Sequence, residues 1–106
     1  MKSPPEDPVR AALDEHTAAE TAELFRAFSD TSRVRIISAL LSGEMNVGSL
    51  AEVVRISESA VSHHMRGLRQ LRLVRSRKQG RQVYYCLHDE HIIDIFNRGL
   101  DHVLHG

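Results

Sequence analysis

Apolar positions recur along the chain at two periods, and the change from one to the other marks out its elements. Between Val9 and Phe28, Val9, Leu13, His16, Leu24 and Phe28 combine with Ala12, Ala19 and Ala27 at helical spacing. They predict a long helix whose alanines let another helix, in a partner subunit, come close. Val34, Ile37, Leu40 and Leu41 mark a second helix, with N-cap candidates from Ser29 to Ser32 and Gly43 as its stop. Val47, Leu50, Ala51 and Val54 fit a short third helix, and Arg55 and Ile56 a tight turn. Ser57 caps a fourth helix with the buried stripe Val61, Met65, Leu68 and Leu71. The period then falls to two. Leu73 to Lys78 and Arg81 to Leu87 read as strands joined around Gln79 and Gly80, the second rich in the β-formers Val83, Tyr84 and Tyr85. Helical spacing returns from Asp89 to Gly106, where Ile92, Ile93, Phe96, Leu100, Val103 and Leu104 form one apolar face and Asp89 stands at the N-cap.

Two short helices joined by about three residues have the outline of a helix-turn-helix. The opposite face of the second carries Ser59, Ser62, His63 and Arg66 at i, i+3, i+4 and i+7. Taken alone, that face is either a polar solvent face or a surface whose short side chains approach base edges while its arginine meets phosphate or guanine. Charge decides between them. The net charge is zero, yet residues 55–81 hold eight bases (Arg55, Arg66, Arg69, Arg72, Arg75, Arg77, Lys78, Arg81) against Glu58 alone. Residues 1–30 are acidic by four charges and residues 86–106 by three. One segment is built to meet a polyanion, and its acidic flanks limit indiscriminate binding. A basic hairpin with Arg77, Lys78, Gln79 and Arg81 directly after the candidate recognition helix is the layout of a winged helix-turn-helix. Its wing would lie along the backbone or minor groove of double-stranded DNA. Arg33 and Arg35 are expected on a solvated or salt-bridged face rather than on phosphate.

The final helix carries a different chemistry. His91 and His102 are eleven residues apart, close to three turns, so they share a side of the cylinder, and His105 lies one turn further on. The separation is nevertheless roughly 16 Å along the axis, whereas an imidazole reaches a metal at roughly 2 Å. One helix cannot close such a site. Two copies packed antiparallel about a two-fold axis can, with Asp89 and His91 of one chain facing His102 and His105 of the other, twice over. The spacing therefore predicts a homodimer with two intersubunit metal sites. His88 and Glu90 point elsewhere, while Asp94 and Asp101 are candidates to orient the ligand histidines. His16 reads as a partly buried interface histidine.

The whole is expected to be mainly α with a small β-hairpin: a winged helix-turn-helix over residues 9–106, dimerised through its N- and C-terminal helices, after a flexible tail over residues 1–8 (MKSPPEDP). A chain of 106 residues buries a modest core unless a partner covers more. No apolar run approaches the roughly 20 residues of a membrane span, and the N-terminus lacks the basic and apolar regions of a signal peptide, so a cytoplasmic protein is expected. The single Cys86 fits a reducing compartment and reads as a buried free thiol. No Gly-rich phosphate loop and no catalytic constellation appears.

The run EMNVGSLAEVVRISESAVSHHMRGLRQLRLVRSRKQGRQVYY, followed by DEH and DHVLH, resembles the ArsR/SmtB family of metal-responsive winged-helix repressors, in its zinc-sensing branch. The likeness covers about Ala22 to His105. SESAVSHH (Ser57 to His64) resembles the family's recognition helix, RKQGRQVYY (Arg77 to Tyr85) its wing, and Asp89, His91, His102 and His105 its C-terminal-helix metal site. One departure is informative: where family members with a thiolate site carry a cysteine in an ELCVG-like segment, this chain has Asn46, which argues against a cysteine-type sensor of soft metals.

Three imidazoles and one carboxylate form a closed nitrogen and oxygen set suited to tetrahedral Zn²⁺, with Co²⁺ a surrogate. The resemblance implies a repressor whose metal-free dimer binds an imperfect operator palindrome and releases it when zinc binds. The alternative is a winged-helix regulator in which zinc is structural, or in which cobalt, nickel or cadmium is the inducer. A zinc hydrolase fits poorly, since it needs an open coordination position and a general base.

Overall fold

The computed structural model describes residues 12–106. The expected tail over residues 1–8 and the start of the first helix lie outside them. In chain order the elements are α1 (Glu15–Ala27), α2 (Thr31–Leu40), β1 (Met45–Asn46), α3 (Val47–Val54), α4 (Glu58–Gln70), β2 (Val74–Gln79), β3 (Gln82–Leu87) and α5 (Glu90–His105).

Each of the five helices among the described residues begins with a side chain that accepts a backbone N–H otherwise left without a partner. Asp14 accepts from the Thr17 N–H at 2.7 Å, Asp30 from Arg33 at 2.9 Å and Asn46 from Ser49 at 2.8 Å. Ser57 accepts from Ala60 at 3.0 Å and Asp89 from Ile92 at 3.2 Å. The first cap corrects the expected helix within the described residues. Asp14 holds an extended backbone, so α1 starts at Glu15 and does not include Ala12 and Leu13. A capping aspartate bonds the helix it precedes and competes with being inside one, and the alanine-rich pattern concealed this.

α3 and α4 end alike. Arg55 and Arg72 adopt left-handed backbone, at φ 62° and 59°. The Ile56 N–H reaches back to Ala51 O at 3.2 Å and the Leu73 N–H to Leu68 O at 2.9 Å. These are Schellman closures, with arginine where glycine is favoured. Leu68 and Leu73, the apolar pair that accompanies the second closure, are both fully buried.

The sheet is antiparallel in the order β1-β3-β2. Gly80, at φ +62°, opens the two-residue turn between Gln79 and Gln82, one position beyond the centre expected from sequence. β1 is an addition to the expected hairpin: two residues cannot display a period, and Met45 and Asn46 are strand only because they pair with Tyr85 and Tyr84. The core lies where α2, α3 and α4 meet the sheet. Ile36, Ile37, Leu50, Val54, Val61, Met65, Leu68, Leu73 and Val74 are essentially inaccessible. α1 contributes only Ala27 to the buried set and α5 only Ile92 and Phe96, with Phe28 and Phe96 stacked obliquely at 6.3 Å.

Two substitutions of opposite sign test this account by urea denaturation. Leu68→Ala should destabilise the chain by about 2–5 kcal/mol through the cavity it leaves. Arg72→Gly, relieved of its left-handed strain, should stabilise it by up to about 1 kcal/mol.

Candidate nucleic-acid interface and metal centre

α4 presents two faces because 3.6 residues make a turn. With Val61, Met65 and Leu68 turned inward, Ser59, Ser62, His63 and Arg66 are all exposed on the outer side, as the sequence pattern predicts. The same face continues into Arg69 and Gln70. With Ser62, Arg66 and Tyr85 these line an open polar groove of about 480 Å³ between α4 and the sheet. Arg69 Nη1 donates to Ser76 Oγ at 3.3 Å, tying the helix to the wing strand. Repeating the three-and-four spacing once more past Arg66 finds both residues.

Arg33 and Arg35 have partners that sequence did not supply. Arg35 Nη1 donates to Val54 O at 2.8 Å, satisfying a carbonyl at the end of α3. Arg33 Nε donates to His64 Nδ1 at 3.2 Å, and its guanidinium occupies the space beside Gly67, where an added Cβ would come within 3.1 Å of Nη2. Arg35 is exposed, as expected, while donating its bond to Val54 O; Arg33 is half-buried against α4 instead of on a solvated or salt-bridged face. Both brace the helix-turn-helix against α2.

Strand alternation divides the four wing residues. Ser76 pairs with buried Tyr85 and Lys78 with Val83 on the face turned toward α4; Arg77 pairs with Tyr84 and Gln79 with Gln82 on the opposite face. Lys78, Gln79 and Arg81 are exposed at the hairpin's end. Arg77 is held by Glu44, whose oxygens accept from Nε at 2.8 Å and Nη2 at 2.7 Å.

At the start of α5, Asp89 accepts from Ile92 N–H, and its Oδ2 lies 3.1 Å from His88 Nδ1. His88 and the α5 cap hold its carboxyl below the usual carboxylate range, so the group is ionised. His91 Nδ1 lies 3.6 Å from Asp89 Oδ1, and its side chain is 92% exposed. A carboxylate has about four acceptor positions, so these contacts leave Asp89 capacity for a cation. His102 and His105 stand exposed in the last turn, at the other end of the helix. Asp89 and His91 are thus brought together, and the two distal histidines are not brought to them. Among the described residues no three histidine, cysteine or acidic side chains converge within one chain. The donor types present, one oxygen and three nitrogens, fit a borderline divalent metal.

Beyond Phe96 the apolar face of α5 is bare, with Leu100 40%, Val103 80% and Leu104 64% exposed. Beside it, between α1 and α5, runs an apolar groove of about 360 Å³ lined by Phe25, Phe28, Val34, Phe96, Leu100 and Val103. The Cys86 thiol is half-buried rather than buried, and His16 is exposed in the single chain, 3.6 Å from Glu20. Among the described residues no helix is long and apolar enough to cross a membrane.

Helix-turn-helix, basic hairpin and three-stranded sheet define a winged helix-turn-helix, the fold of a class of transcriptional regulators. Residues 30–76 match the bacterial regulatory protein arsR family. The chain is 46% identical over 86 residues to the "Transcriptional repressor SmtB homolog" of Synechocystis sp., covering 81% of this chain and 65% of that protein, somewhat under two thirds of its length. It is 37% identical over 95 residues to the HTH-type transcriptional regulator NmtR of Mycobacterium tuberculosis, covering 90% and 79%. Among solved structures it resembles the solution structure of apo-NmtR, with TM-score 0.76, 34% identity and coverage of 99% of this chain and 85% of that one. The chain belongs to the ArsR/SmtB family of metal-responsive transcriptional repressors. The family model itself matches only residues 30–76 and does not reach the four donor residues of α5.

Three capped or paired carboxylates add a modest acid dependence to stability. Asp14 is lowered by the Thr17 backbone and hydroxyl, Glu44 by Arg77 and Asp89 by His88. Their folded-state affinities for protons are below their unfolded ones. Their contribution is therefore complete above the ordinary carboxylate range and is lost as pH falls below about 4. Urea midpoints of the metal-free chain should decline modestly there. Asp14→Asn, which keeps a capping oxygen but cannot titrate, should flatten part of that fall.

Proposed function

We propose that the protein is a cytoplasmic, zinc-responsive repressor: a homodimer that binds operator DNA when metal-free and releases it when Zn²⁺ occupies two intersubunit sites. Residues 9–106 act as a single DNA-binding and sensing domain. The observation that carries this reading is the placement of two donor pairs at opposite ends of α5, Asp89 with His91 and His102 with His105, beside an apolar face that the described residues leave largely exposed. A second copy laid antiparallel covers Leu100, Val103 and Leu104, and brings the distal histidines of each chain to the proximal pair of the other. The apolar groove against α1 extends the same contact.

Asp89, already ionised and fixed by the helix cap, supplies the oxygen; His91, His102 and His105 supply nitrogens. Bound there, zinc supplies a closed four-donor tie between two chains. Thiolate donors that cadmium or lead would favour are missing from the set, because Asn46 caps α3 and Cys86 lies on β3. On the DNA side, Ser59, Ser62, His63 and Arg66 enter the major groove, while Lys78, Arg81 and the polar end of Gln79 lie along the backbone. The two half-sites are read together, so any tie that fixes the angle between protomers alters DNA affinity. By linkage, DNA alters metal affinity equally.

Fluorescence anisotropy on a palindromic operator duplex tests the reading. Zinc should weaken wild-type binding by roughly 5–150-fold and chelator should restore it, whereas His102→Ala should bind DNA and ignore zinc. Wild-type affinity indifferent to zinc and chelator would leave zinc structural and end the sensor proposal. Val103→Asp, charging the bare face, should sediment as a monomer.

A further inference from the structure

Arg77 is engaged on three sides. Nε and Nη2 donate to the two oxygens of Glu44, Nη1 donates to Gln79 Oε1 at 2.7 Å, and the guanidinium carbon lies 4.7 Å from the centre of the Tyr84 ring. Glu44 belongs to the segment between α2 and β1, which enters directly from the core through Leu40. The position of this cluster along the wing matters. β1 supports β3 only at Tyr84 and Tyr85, so beyond them β2 and β3 form a two-stranded ribbon, and such ribbons are marginal and free to twist. The Glu44–Arg77 fork sits where that support ends. It also lies on the face of the sheet turned away from α4, opposite the Ser76 and Lys78 side.

We propose that Arg77 is a positioning residue and not a phosphate contact: with Glu44 and Tyr84 it clamps the wing to the α2–β1 segment, so that Lys78 and Arg81 are presented at a fixed inclination to α4. The inference rests on the DNA-binding reading. A bidentate arginine–carboxylate fork fixes direction as well as distance, which suits this task. The pair is exposed, with side chains 50% and 33% accessible, so its role is orientation of the hairpin rather than stability of the whole chain. It also neutralises one of the wing's charges, leaving fewer bases free for DNA than the sequence counts.

The test measures operator affinity over a range of salt concentrations for wild type, Arg77→Ala, Glu44→Ala and the double swap Glu44→Arg with Arg77→Glu. Amide hydrogen exchange of the β2–β3 hairpin is followed in DNA-free protein. A clamp predicts that both single substitutions weaken binding by a similar, modest factor of roughly two- to fivefold. It further predicts an unchanged salt slope, faster exchange in the hairpin and recovery of binding by the swap. A phosphate contact held back by Glu44 predicts otherwise: Arg77→Ala lowers the slope by about 0.9, Glu44→Ala tightens binding and the swap is worst of all. That pattern, or unchanged affinity and exchange in both single variants, overturns the proposal. If wild type binds no duplex, the DNA-binding reading falls, and the exchange arm alone decides whether the clamp exists.

Discussion

The burial of one stripe of α4 governs what the rest of the surface can do. Val61, Met65 and Leu68 have no accessible surface, and full burial of such side chains stabilises by about 1.5–3 kcal/mol each. A helix advances by a fixed angle per residue, so committing that stripe to the core commits Ser59, Ser62, His63 and Arg66 to solvent. No separate interaction is needed to aim them. Around this contact the remaining parts act as stops: the Schellman closure at Arg72, the Arg33 strap across Gly67, the Arg35 bond to Val54 O and the Arg69 bond to Ser76. The reading surface is rigid because its buried side is overdetermined.

Much of this is legible in the chain. Helical spacing locates α2 to α5, Ser57 and Asp89 announce caps, and the switch to alternation places the hairpin within one residue. What escapes depends on contacts distant in sequence. β1 exists only through Tyr84 and Tyr85, some forty residues downstream. The partners of Arg33 and Arg35 lie 31 and 19 residues away, and those of Arg77 include Glu44, 33 residues before it. An arginine reads from sequence as a charge available to DNA; only the fold reveals which of them are already engaged. The exception is the division of the wing into two faces, which the two-residue period contains and which grouping Arg77 with Lys78 overlooked.

For the proposed sensor the same distinction applies to α5. Its histidines and Asp89 are legible as donors by type and as a two-chain site by spacing, since roughly 16 Å of helix cannot be folded back on itself. The structure adds that Asp89 is already engaged as the cap of α5, so a ligand and a helix start are one residue. Proximal donors are thereby registered to the backbone of the domain, while distal donors ride on a part of the helix that the described residues cover only partly.

That unequal restraint has a mechanical consequence. Ile92 and Phe96 are the only buried side chains of α5, so the helix is anchored in its first two turns and cantilevered beyond them. From Phe96 to His105 the overhang is about 13 Å. A tilt of a few degrees at the anchor therefore moves the free end by about an ångström, and whatever grips the free end applies torque to the anchor. The His88 N–H donates to Leu73 O at 2.9 Å, and Leu73 is the residue that closes α4. The anchored end of the lever is thus one hydrogen bond from the end of the reading helix.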